Sequence, residues 1–203
     1  MPDTLPPVLQ VIASKGHAVF TTGRWNLNMF GIRSKSRRSG SFDDLMGCAY
    51  RETDGGPWVV KYWPATTDPG TYYLEHPMRV EGTAILATGQ YRGAYQFGLH
   101  QGKYEALVQT GAEVTVYRDA DRDGTLDLDP STRMTGFFGI NLHASSQNSD
   151  GDAVSTVVGK WSAGCQVHGT QAGFVDMMAT ARRSLEENPS WSRFTYTLLD
   201  QWW

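Results

Sequence analysis

Apolar and polar residues alternate with a period of two along several stretches of the chain, the pattern of a half-buried β-strand. The alternation is cleanest over residues 113–117 and 193–199, and Asn26 and Asn28 alternate with apolar neighbours across 27–32. Residues 58–63 are aromatic and β-branched enough to form a strand, and 67–70 (Thr-Asp-Pro-Gly) form a turn. Shorter strands are expected at 17–21, 83–86, 89–95 and 107–109, divided by glycines, with 42–51 ambiguous. Residues 136–143 are continuously apolar, which predicts a strand buried on both faces.

Two stretches have helical spacing instead. Residues 6–15 start on prolines and stop before Gly16, as a short helix does. Phe174, Met177, Met178, Ala181 and Leu185 recur on one helical face, and Asn188-Pro189 ends that run. Neither an internal repeat nor a linker interrupts the pattern. The expected fold is mainly β, largely antiparallel, with a few packed α-helices in a single domain over residues 1–203.

Composition changes this picture little. At 40% hydrophobic and 19% charged residues the chain reads as an ordinary soluble domain. Its formal charge of −3 gives no support for nucleic-acid binding. The basic cluster at 33–38 reads as a polar, solvated loop. No apolar run is long enough to span a membrane, and the N-terminus lacks the charged and apolar regions of a secretion signal. A protein made in the cytoplasm is expected.

The candidate chemistry lies between residues 138 and 168. His143 ends the apolar run, and Cys165 sits in the small-residue turn Ser162-Ala163-Gly164-Cys165, with polar, Gly- and Ser-rich residues between them. A cysteine is a strong nucleophile once a base or positive surroundings favour its thiolate, so a low thiol pKa is expected at Cys165. The turn could aim the N–H groups of Gly164 and Cys165 at a developing oxyanion. Ser162 could bond to the turn or to the imidazole. Ser145 and a backbone carbonyl are both open as the group that orients His143. Cys48 has no such context and reads as a buried thiol; His17, His76 and His100 read as surface or edge residues. His168, three residues after Cys165 on a strand, should face the other way.

A second motif is acidic. Asp119, Asp121, Asp123 and Asp127 recur around Gly124, and with the Thr125 carbonyl they match positions of a Ca²⁺-binding loop. The match ends at Pro130, which stands where such a loop needs a bidentate Glu. A structural Ca²⁺ ion and a plain turn with solvated carboxylates both fit the residues.

With His143 followed by Ala144-Ser145, and Cys165 twenty-two residues later in a Ser-Ala-Gly-Cys turn, the sequence resembles the catalytic domain of L,D-transpeptidases. Gly82-Thr83 adds to the likeness, and the pairing of Gly-Ile-Asn-Leu-His with Gly-Lys-Trp-Ser-Ala-Gly-Cys is similar to phage- and prophage-type members. Ala163 departs from the family's histidine, and Gln166 from its frequent arginine. The resemblance implies a β-sandwich and a Cys165 thioester formed on peptidoglycan stem peptides. Cys165, His143, Gly164 and Ser162 would form the catalytic set, with Ser145, Lys160, Trp161 and Gln166 near the substrate. It implies action at the cell wall as a transpeptidase or peptidase, with phage lysis one setting. A catalytically silent peptidoglycan-binding module and a Ca²⁺-stabilised structural domain are the competing readings.

Overall fold

The structure is a computed structural model that describes residues 4–36, 39–145 and 157–203. Its first element is the helix α1 (Pro7–Ser14), with proline in the first turn and Gly16 just beyond its end at φ 76°. Val8, Leu9 and Ile12 of its inner face pack on Phe30, Ile32, Ala49 and Leu199. Each such buried side chain contributes about 1.5–3 kcal/mol.

Eight strands form a closed barrel: β1 (Asn28–Arg33), β2 (Asp44–Arg51), β3 (Trp58–Thr66), β5 (Gly89–His100), β6 (Tyr104–Gln109), β9 (Leu142–Ala144), β10 (Gln166–His168) and β11 (Phe194–Asp200). Around the barrel the order is β1-β11-β5-β6-β9-β10-β3-β2. A separate three-stranded sheet holds β4 (Thr83–Leu86), β7 (Val114–Asp119) and β8 (Met134–Gly136) in the order β4-β7-β8. The short helix α2 (Thr71–Glu75) precedes β4, and α3 (Gln171–Glu187) lies between β10 and β11.

The expected sandwich is thus replaced by a barrel beside a small sheet. Closure comes from the parallel pairing of β1 with β11, Met29 opposite Tyr196 through Arg33 opposite Asp200, which leaves the large sheet no free edge. The expectations of a mainly β domain and of two of its helices hold. Thr170 caps α3 by accepting the Gly173 N–H at 3.0 Å, a contact worth about 1 kcal/mol. Among the described residues no helix is long and apolar enough to cross a membrane.

Three sequence expectations are corrected. Residues 17–21 form no strand; the side-chain amides of Asn28 and Gln90 bond the backbone of Phe20 and Ala18 instead. Arg33 is not a loop residue but the buried end of β1, where its Nε donates to Asp68 at 2.7 Å. Arg37 and Arg38 lie outside the described residues.

The third correction matters most for the site. The apolar run 136–143 is not one strand. It breaks between β8 and β9, with Gly139 at φ 70°, and the Gln109 Oε1 accepts the N–H groups of Phe138, Gly139 and Ile140 at 3.0, 3.0 and 3.2 Å. One buried carboxamide oxygen thereby replaces a strand partner for three consecutive residues. It fixes the turn that leads into Asn141 and His143.

Candidate active site

β9 and β10 are parallel neighbours in the barrel, with Val167 opposite His143. Side chains alternate along each strand, so Cys165, two residues before Val167, falls on the same face as His143. The two residues expected to act together are therefore brought together by strand register. Residues 146–156, between them in sequence, lie outside the described residues.

The turn before β10 is held by Ser162. This buried hydroxyl accepts the Gly164 N–H at 3.1 Å and donates to the Cys165 carbonyl at 2.8 Å. Gly164 has φ 124°, and a Cβ there would run into the Ala84 carbonyl, so only glycine fits. One open alternative closes and one expectation changes as a result. Ser162 bonds the turn and not the imidazole, and the Gly164 N–H is already taken. The Cys165 N–H has no acceptor among the described residues and is the one of the two left as a candidate oxyanion donor.

His143 is buried, and its Nδ1 lies 2.8 Å from the Ala144 carbonyl. A carbonyl oxygen only accepts, so Nδ1 carries the proton and Nε2 is left with its lone pair. Nε2 is buried and has no hydrogen-bond partner. Of the two open candidates for orienting the ring, the backbone carbonyl is the one in place. The Tyr104 hydroxyl joins it, 3.1 Å from Nδ1 and 3.3 Å from the same carbonyl.

His100, expected at a surface or edge, is instead part of the site. It is buried and stacked on His143 with ring centres 4.0 Å apart and planes 22° apart. The Asn141 amide donates to its Nδ1 at 3.0 Å, and the Asn141 N–H points at the Cys165 sulfur at 3.4 Å. Spacing gave no signal for His100, Tyr104 or Asn141. They arrive by the β5–β6 hairpin and by the broken strand, which only the folded chain places beside Cys165.

The resting pair is neutral. Burial pushes the Cys165 thiol up to about 11, offset in part by the Asn141 N–H. Burial, and then His100, lower the His143 imidazole to about 3, against a small opposing contribution from the Ala144 carbonyl. The expected low thiol pKa is therefore corrected: among the described residues no cation stands close enough to offset the loss of water around a thiolate. The thiol proton is directed at the Gly139 carbonyl, 3.4 Å from the sulfur.

Among the described residues, donor atoms of His100, His143 and Cys165 form a group within 4.8 Å of one another. These are donor types that zinc accepts. The fit is poor, because ring-nitrogen lone pairs lie in the ring plane and stacked rings aim them side by side, not at one point. The acidic loop forms no such group. There Asp119 accepts the Asp127 N–H, Asp121 the Asp123 N–H and Asp123 the Thr125 N–H, as in turns closed by their own side chains. Leu126 anchors the loop in a small cluster with Leu74, Ile85, Ala87 and Tyr117.

The residues expected near substrate separate into two groups. Lys160 and Trp161 are exposed, Lys160 lying 4.1 Å over the Tyr72 ring. Ser145 and Gln166 are buried. Gln166 donates to the Thr67 carbonyl and accepts from Tyr196, so its side chain braces the barrel. His168 faces away from Cys165 as expected, its Nε2 3.1 Å from the Met177 sulfur.

Comparison with known protein families, characterised proteins and solved structures finds no match for this chain.

The two thiols differ in access. Cys48 is 1% exposed and its thiol is pushed up to about 12 by burial, whereas Cys165 is only half-buried. Iodoacetamide at about pH 8 should label Cys165 first, yet more slowly than an unstructured cysteine peptide, because so little thiolate is present. Peptide mapping over time reads both rates; faster labelling of Cys48 would overturn the assignment.

Proposed function

We propose that the chain is a cysteine acyl-transfer enzyme that acts on peptidoglycan stem peptides, in the manner of the L,D-transpeptidases its motifs resemble. The observation that carries the chemistry is the neutral Cys165–His143 pair, His143 on β9 and Cys165 immediately before the parallel β10, with Nδ1 of His143 fixed by the Ala144 carbonyl. The substrate class rests on the motif resemblance.

The reaction begins as the sulfur attacks an amide carbonyl of the stem. The thiol proton moves to Nε2 of His143, which has a free lone pair and no competing partner. The carbonyl oxygen takes up negative charge facing the Cys165 N–H. Collapse of the tetrahedral adduct breaks the C–N bond, and the departing amine takes the proton from Nε2. A thioester to Cys165 remains. Water or a second amine, deprotonated by the same nitrogen, then releases the acyl group and restores the thiol. Tyr104, His100 and Asn141 hold the ring and the sulfur in place throughout.

Water is the acceptor we favour, giving cleavage of stems or crosslinks. A Cys–His site does not itself select the acceptor; access to the thioester does. Purified protein incubated with crosslinked and monomeric muropeptides plus an added D-amino acid reads the choice. Shortened or uncrosslinked products without exchange are expected. New crosslinks or exchanged stems would show transfer instead, and absence of any Cys165 thioester by mass spectrometry would sink the enzyme reading.

A further inference from the structure

Beside the nucleophile turn lies a cavity of about 260 Å³ that the proposed reaction leaves without a role. Arg79 and Arg118 line it together with Phe137, Phe138, Ala84 and Ala163. Ala163 is two residues before Cys165, and Phe138 precedes the glycine whose carbonyl holds the thiol proton. The cavity thus touches both segments that frame the sulfur.

Arg118 is the unusual group. It is 9% exposed, next to the C-terminal end of β7, the central strand of the small sheet, with Nη1 bonded to the Gly82 carbonyl at 3.2 Å and its guanidinium 4.7 Å over the Phe138 ring. Its Nε is buried without a partner. Among the described residues no carboxylate pairs with Arg118 or Arg79. A buried arginine ordinarily has a counter-charge, because its own desolvation is costly. Here burial and the neighbouring Arg79 both work against its charge, and Glu81 offsets them only from a distance.

The missing partner is therefore an anion that comes with a ligand. A guanidinium presents a planar fork of N–H donors that matches a carboxylate. Around that fork the rim is apolar, with Phe137 and Met78 exposed by 60% and 76%. A short peptide offers both features, a carboxylate and aliphatic carbon beside it.

We infer that this cavity recognises a free carboxylate on the peptide whose carbonyl Cys165 attacks. The inference rests on the acyl-transfer reading and adds to it the group that positions the substrate. Two carboxylates of a stem share this chemistry: the α-carboxylate of its last residue and a side-chain carboxylate further back.

Binding is measured by calorimetry on the Cys165→Ala protein, which cannot turn the peptide over. Three synthetic tetrapeptide stems are compared: both carboxylates free, the C-terminus amidated, and the side chain amidated. Amidation of the recognised carboxylate should weaken binding about tenfold to a hundredfold, the usual loss for a charge-assisted hydrogen bond. The arm that loses affinity identifies which carboxylate is bound. Arg118→Gln should bind all three stems equally and weakly, with Arg118→Lys recovering part of the discrimination. Should Arg118→Gln fail to fold, Arg79→Gln, at an exposed position, should still reduce the discrimination. Equal affinity of the parent for all three stems, or undiminished discrimination in the Arg79 and Arg118 variants, would overturn the proposal. Acylation of the parent Cys165 by an uncharged thioester is read in parallel. Acylation without carboxylate discrimination removes the cavity's role and leaves the chemistry standing; discrimination without acylation does the reverse.

Discussion

Cys165→Ala should abolish acylation, and His143→Gln should slow it by about two to four orders of magnitude, the usual contribution of a positioned general base. The argument starts from the neutral resting pair. With the thiol at about 11 and the imidazole at about 3, very little thiolate exists near neutral pH. Attack therefore depends on a base that takes the proton as the bond forms, and Nε2 of His143 is the nitrogen free to do so. The same values fix the pH dependence. Neither group titrates between about pH 5 and pH 9, so acylation by an uncharged thioester should be nearly flat across that range. In His143→Gln the residual rate should instead rise about tenfold per pH unit, because only thiolate formed by solvent can then react. Stopped-flow acylation of parent and variant across pH tests both parts. A parent rate that climbs steadily with pH, or a His143→Gln variant as fast as the parent, would remove His143 as the base.

How much of this was legible in the chain depends on the range of the interaction concerned. The strands at 58–63, 113–117 and 193–199 and the helix carrying Phe174, Met177, Met178 and Ala181 were readable because local alternation and local spacing decide them. Barrel closure was not, since it depends on β1 meeting β11 from opposite ends of the chain. The break at 137–141 was invisible for a related reason. Its apolar residues read as a strand, and the group that holds them out of one is Gln109, about thirty residues away.

The site follows the same division. Cys165 and His143 stood out because small turn residues and a strand end mark them locally. The group that orients His143 was left open between Ser145 and a carbonyl, and the fold supplies the carbonyl of Ala144 with Tyr104. His100 carried no local mark and was taken for an edge residue. It reaches the site at the end of β5, where a four-residue step to Tyr104 brings both rings beside His143. The low thiol pKa was expected from a histidine partner and a small-residue turn. Burial reverses it, a quantity that no spacing encodes.

Arg33→Met should destabilise the fold by about 3–5 kcal/mol near pH 8, the usual cost of stranding a buried charge. Arg33 and Asp68 are 3% and 7% exposed along their side chains, and Arg33 also donates to the carbonyls of Thr67 and Leu86. Asp44 stands nearby, accepting N–H groups of Ser34 and Thr67 and the Thr67 hydroxyl. One guanidinium thus serves two buried carboxyl groups. The Thr67 carbonyl also accepts the side chain of Gln166, the residue after Cys165, so this network underlies the nucleophile strand. Burial raises the carboxyl pKa of both Asp44 and Asp68, and Arg33 is the main influence lowering that of Asp68. A carboxyl raised above its unfolded value of about 4 adds stability at low pH that is lost as pH rises through the folded pKa. Without Arg33 the Asp68 carboxyl rises further, so the variant should recover part of its loss between about pH 8 and pH 5. Arg33→Met combined with Asp68→Leu should recover part of it at pH 8 and most of it at pH 5, since the carboxyl then left without Arg33 is Asp44, which burial raises to about 7 and which is protonated at the lower pH. Urea unfolding of the three proteins at both pH values measures this. A loss of the same size at pH 8 and pH 5, or a double variant no more stable than Arg33→Met, would show that the pair does not act as a buried charge network.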